Sequence, residues 1–93
     1  MKLFWTETAR QDLQTIRRYI AADNPTAAKR WVNGLRERTW NTLYSPLAGH
    51  KVPELLRNDI RELIEENYRI VYKIFEDRLV ILTVFEGHQL YFL

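Results

Sequence analysis

Asp23-Asn24-Pro25 is the segment that most restricts this chain, because two helical patterns meet across it with almost no linker between them. Upstream, Ala9, Leu13, Ile16 and Ile20 recur at steps of four, three and four, one apolar stripe on a helix. Downstream, Ala28, Val32, Leu35, Thr39 and Leu43 continue at helical spacing to about Tyr44, flanked by Trp31 and Trp40. Proline suits the first position of a helix, where its missing N–H costs nothing, so Asn24 is expected to cap a second helix entered through Pro25. The first helix is expected to be capped by Thr6 or Thr8, and Thr8-x-x-Gln11 has the form of a capping box. Pro46 and Gly49 end the second stripe. Helices joined this tightly pair antiparallel, and their apolar stripes need a surface to bury against.

The second half of the chain supplies that surface. Ile60–Ile64, Tyr68–Phe75 and Leu79–Phe85 are rich in Ile, Val, Tyr and Phe, with polar turns at Glu65–Asn67 and Glu76–Arg78. This is the pattern of a three-stranded antiparallel meander. Lys2–Trp5 reads as a short first strand. The expected fold is α+β in the order β-α-α-β-β-β, two antiparallel helices on one face of a small antiparallel sheet. Residues 1–93 are expected to form a single domain.

Composition removes several function classes. The chain has no Cys, so neither a disulfide framework nor a thiolate metal site is possible, and no metal or cofactor is expected. The N-terminus meets polar residues at Thr6, before any apolar h-region, and no apolar run approaches ~20 residues, so neither a signal peptide nor a membrane span is expected. A cytoplasmic protein follows as the expectation. Charge is unevenly shared: residues 1–51 hold nine Lys/Arg against four Asp/Glu, and residues 52–93 hold five against eight. A polyanion therefore has little reason to approach the strand-rich half.

That half nevertheless carries charge within its strands. Alternation puts Arg69, Val71, Lys73 and Phe75 on one face and Tyr68, Ile70, Tyr72 and Ile74 on the other. With Asp77-Arg78 as the tip of the last hairpin, Arg69 would stand opposite Glu86, whereas a bulge would break that alignment. Such a cross-strand pair is worth ~0.2–1 kcal/mol. The other reading makes Arg69 the positive centre of a contact face.

Four segments, in this order, carry a family resemblance: WTETARQDLQTIRRYI, NPTAAKRWVNGL, PLAGHKVPEL and IRELIEENYRIVYKIFEDRLVILTVFEG. Over residues 4–88 the chain resembles the RelE/ParE superfamily of bacterial type II toxin–antitoxin toxins, most closely the ParE branch. The resemblance implies two helices on an antiparallel sheet and a labile partner antitoxin. It also implies a toxin that poisons DNA gyrase, as in the ParE branch, or cuts mRNA on the ribosome, as in the RelE branch. In the latter, the Arg matching Arg69 in YRIVY serves the target-contacting face. ParE-like chains commonly follow the last strand with a His-Gly-Arg-Arg type run. Here it reads Glu86-Gly87-His88-Gln89, so a basic cluster expected in either branch is missing.

Each reading names its residues. Cutting RNA through its own 2′-hydroxyl needs a base, an acid and cationic donors. Glu62 or Glu86 would be the base, Arg61 and Arg69 the clamp, and His88 or Tyr91 the acid. A gyrase-directed surface needs no such chemistry, and its candidates are Arg61, Arg69, His88, Gln89 and Tyr91. An acidic antitoxin, partly disordered when free, would use the basic helix faces of Arg17, Arg18, Lys29, Arg30, Arg36 and Arg38, with Trp31 and Trp40 as anchors. DNA would then be touched through the antitoxin alone. A non-toxic interaction module with the same fold is the remaining alternative.

Overall fold

The computed structural model describes residues 1–87. Strand β1 (Lys2–Trp5) leads into helices α1 (Glu7–Asp23) and α2 (Pro25–Asn41), and a 3-10 turn (Thr42–Tyr44) prolongs α2. Strands β2 (His50–Lys51), β3 (Ile60–Glu65), β4 (Tyr68–Ile74) and β5 (Arg78–Glu86) complete a sheet ordered β1-β5-β4-β3-β2. The expected element order is present, with β2 as an addition. The sheet is antiparallel except where β1 runs parallel to β5.

Local chemistry explains the helix ends. Thr6, not Thr8, caps α1: its hydroxyl accepts from the Ala9 N–H at 3.0 Å and donates to the Leu82 carbonyl at 2.7 Å. The capping box expected at Thr8 is absent, because Thr8 already lies in the first turn. Asn24 serves both helices. Its backbone N–H closes α1 on the Ile20 carbonyl (2.9 Å), and its side chain accepts from the Ala27 N–H (3.1 Å) ahead of Pro25.

The helices cover one face of the sheet. Ala9, Trp31, Leu35, Tyr68, Ile70 and Tyr72 belong to the core there, with Leu13, Ile16 and Ile20 packed at its margin. On the other face, the segment after β2 lays Val52 and Leu55 over Ile60, Val71, Leu82 and Phe85. Tyr72 pins the preceding loop from within: its buried hydroxyl donates to the Pro46 carbonyl (2.7 Å) and accepts from the Gly49 N–H (3.1 Å).

One irregularity decides where the charges fall. The last hairpin turns at Glu76-Asp77, since Phe75 N–H bonds Arg78 O at 2.9 Å, and Leu82 then bulges out between pairs Tyr72↔Ile81 and Val71↔Thr83. The bulge shifts the register beyond it, so Arg69 faces Phe85, and Glu86 faces Tyr68. The expected placement of Arg69 opposite Glu86 is thereby corrected.

Candidate functional site

Strand alternation puts Glu62 of β3 and Arg69 of β4 on the face away from the helices, as diagonal neighbours across the ladder. The Arg69 Nε donates to Glu62 at 2.6 Å. Its two terminal nitrogens grip both oxygens of Glu54, at 2.7 and 2.8 Å, from the turn beyond Val52. The Phe85 ring centre lies 5.0 Å from the guanidinium carbon. Just 8% of the Arg69 side chain is exposed, and the Glu54 hydrogen bonds, followed by Glu62, raise its pKa above the ordinary arginine value against the cost of burial. Arg69 is therefore not the exposed cation of a contact face. It is a buried linchpin between sheet and loop, held by carboxylates of its own chain.

Arg61 leaves β3 on the side of its partner Tyr72, away from Arg69. Its guanidinium donates to the carbonyls of Leu47 (3.2 Å), Gly49 (2.9 Å) and Asn58 (3.1 Å), and to the Asn58 side chain (2.7 Å). It thus clips the loop before β2 to the loop before β3. Glu86 sits on the α1 side, lining a groove of about 620 Å³ with Asp12, Ile16, Tyr19 and Tyr68. Burial first, then Tyr19, Glu86 and Glu66, hold the Tyr68 hydroxyl above its usual range. Arg61 and Arg69 are separated by the sheet, and Glu62 is occupied by Arg69, so these groups do not converge as the base and clamp of an RNA-cleaving centre. His88, Gln89 and Tyr91 lie outside the described residues.

The basic helix residues Arg17, Arg18, Lys29, Arg30, Arg36 and Arg38 are all exposed, and Arg38 makes a loose pair with Glu65 at 3.5 Å. Trp40 joins them at 57% exposure. Trp31 does not: it is 4% exposed and packs edge-on against Tyr68, ring centres 5.2 Å apart, so its expected role as a partner anchor is corrected to core filling. Sequence reasoning missed Glu54, whose contact comes through a loop with no periodic signal. It named Glu62 but not its partner, although the β3–β4 register alone makes the two neighbours. Among the described residues, no cluster of His, Asp and Glu is placed to hold a metal ion, and no helix is long and apolar enough to cross a membrane.

An antiparallel helix pair on one face of a mostly antiparallel sheet, in this order, defines the RelE/ParE type of toxin fold. The family model described as the ParE toxin of the type II toxin–antitoxin system parDE matches residues 3–91. The chain belongs to that family, as a ParE/RelE-type toxin of a type II toxin–antitoxin system. Among solved structures it is similar to the chromosomal ParDE system of P. aeruginosa, with a TM-score of 0.75 and 22% identity over 92% of this chain and 95% of that one. It is also similar to the RelBE2 toxin–antitoxin complex of Mycobacterium tuberculosis (TM-score 0.66, 22% identity, 91% and 95% covered). The YoeB/ParE toxin of Agrobacterium tumefaciens gives a TM-score of 0.60 at 26% identity, covering 92% and 98%. No curated protein matches the sequence significantly.

Proposed function

We propose that this toxin arrests growth by binding and poisoning DNA gyrase, and that a cognate acidic antitoxin neutralises it. The observation that carries the reading is the engagement of Arg69. The cation best placed by sequence for phosphate chemistry is buried and held by Glu54 and Glu62, while Arg61 departs from the other face. A toxin that works by docking needs no cleavage centre; it needs exposed aromatic and arginine anchors, which Trp40, Tyr44 and the basic helix faces provide. The family match supports the same branch.

Controlled expression, with and without the product of the neighbouring reading frame, tests the proposal. Blocked supercoiling by the purified chain and an early DNA-damage response are expected, both relieved by the neighbouring product. Immediate arrest of translation with cut messages, and intact supercoiling, would overturn the gyrase reading in favour of a ribosome-dependent nuclease. Absence of any growth effect would overturn both.

A further inference from the structure

The sheet face turned away from the helices is covered at one end and open at the other. Val52 and Leu55 lie over Ile60, Val71, Leu82 and Phe85. Towards the β4–β5 turn, the strand registers set six side chains on that face in two rows. Lys2, Arg78 and Phe75 form one row, and Phe4, Val80 and Lys73 the other. Phe4, Phe75 and Val80 belong to neither core cluster, and Phe4 is 48% exposed. Three apolar side chains thus alternate with three cations across three adjacent strands.

The cations are poised towards solvent. Among the described residues, neither Lys2 nor Lys73 has an ion-pair partner. Arg78 lays its guanidinium over the Phe75 ring at 4.1 Å, and the Lys73 ammonium lies 4.9 Å from the same ring centre. The acids that tip the second half of the chain towards negative charge lie elsewhere or are taken. Glu54 and Glu62 neutralise Arg69, while Glu65, Glu66 and Glu86 stand at the opposite end of the strands. Asp59 is gripped by Arg57 at 3.1 and 2.9 Å, and exposed Asp77 shares Arg78 at 3.0 Å, which leaves Glu76 in the turn.

The chemistry of this platform selects its ligand. An exposed ring takes a nucleobase by stacking, and a guanidinium already layered on a ring offers a second plane. Lysines beside such planes meet the phosphates between the bases. A duplex keeps its base faces within its own stack, so it would engage the lysines and leave Phe4 and Val80 bare. A glutamate-rich peptide would do the same.

We propose that the open end of the sheet, formed by Lys2, Phe4, Lys73, Phe75, Arg78 and Val80, binds single-stranded nucleic acid. Its bases stack on Phe4 and on the Arg78–Phe75 layer, and its phosphates meet Lys2 and Lys73. This departs from the expectation that DNA is touched through the antitoxin alone, and it stands or falls apart from the choice of gyrase as target.

The full chain is titrated into labelled oligothymidylate, the matching oligouridylate, a blunt duplex of the same length and a polyglutamate peptide, and binding is followed by anisotropy. Both single strands are expected to bind, with duplex and peptide weaker by about tenfold or more. The tighter of the two strands identifies whether a deoxy or a ribo strand is the ligand. Phe4→Leu keeps the strand apolar while removing the ring, and should weaken binding by about tenfold with its salt dependence unchanged. Lys2→Gln and Lys73→Gln should each weaken binding and lower the slope of log affinity against log salt by about 0.7, the signature of one lost phosphate contact. Lys2→Gln has no described side-chain contact to lose, so its result does not depend on the fold. Duplex or peptide binding as tightly as the single strands would overturn the proposal, as would wild-type affinity in Phe4→Leu or an unchanged slope in both lysine variants. A chain that binds strands without blocking supercoiling refutes the gyrase reading alone. One that blocks supercoiling without binding strands refutes this surface alone.

Discussion

Replacing Arg69 with methionine is expected to damage the fold before it damages any contact with a target. Among the described residues, the guanidinium makes three charge-assisted hydrogen bonds, of 2.6, 2.7 and 2.8 Å, to two carboxylates that are themselves largely buried. Removing one partner of a buried ion pair typically costs ~3–5 kcal/mol, because the remaining charge is left in a poor solvent. Loss of the Phe85 contact adds about 0.5–1 kcal/mol. A domain of this size has roughly 5–14 kcal/mol of total stability, so the single change removes about a quarter of it or more. At a urea slope of about 1.5 kcal/mol/M, the unfolding midpoint should fall by roughly 2–4 M with the slope unchanged. The triple variant Arg69→Met, Glu54→Gln, Glu62→Gln removes the charges together and should recover about half of the loss. A shift below ~1 kcal/mol for the single variant, or a triple variant less stable than the single one, would refute the account of Arg69 as an internal linchpin. If the triple variant folds and remains toxic, the guanidinium has no direct part in the target contact.

Two further outcomes follow from the loop that Tyr72 holds. A Cβ at position 49 would sit 2.5 Å from the Tyr72 hydroxyl and 2.7 Å from the Glu62 carbonyl, so Gly49→Ala should cost about 1–3 kcal/mol in chemical unfolding, and the backbone clash should persist in a Tyr72→Phe background. Burial holds the Tyr72 hydroxyl above its usual range, against smaller opposing effects of the Gly49 N–H and Arg61. The folded state thus keeps this proton more tightly than the unfolded chain does. Its contribution is fully present below pH ~10 and is lost as pH rises through the folded value. Urea midpoints measured in alkali should therefore fall more steeply for wild type than for Tyr72→Phe; equal slopes would contradict this.

The helix pair and the meander were legible because their signals are local. Asn24-Pro25 shows the double cap, and Ala28, Val32 and Leu35 mark the buried stripe of α2. Trp31 lies three residues after Ala28 and four before Leu35, within that stripe, so its burial was readable from spacing, whereas Trp40 falls off it. The register beyond Leu82 was not readable. The bulge is braced from distant sequence, by the Thr6 hydroxyl on the Leu82 carbonyl and by the Asp12 carboxylate, which accepts from Thr83 and from the Val84 N–H where β1 has ended. Glu54 was invisible for a similar reason: its place over Arg69 depends on how Val52 and Leu55 pack on the far face. Strand alternation set the faces of Arg61, Glu62 and Arg69, whereas the face of Glu86 and the partner that Arg69 meets in β5 depended on one extra residue in that strand.

The parallel pairing of β1 with β5 has a bearing on the order of events during synthesis. β1 emerges from the ribosome first, yet its neighbour is made some seventy residues later, after both helices and the rest of the meander. Long-range closure of this kind comes late in folding, so a nascent chain can hold a helical hairpin without possessing a finished sheet. The edge of the sheet that β1 forms is therefore not in place until translation has passed β5.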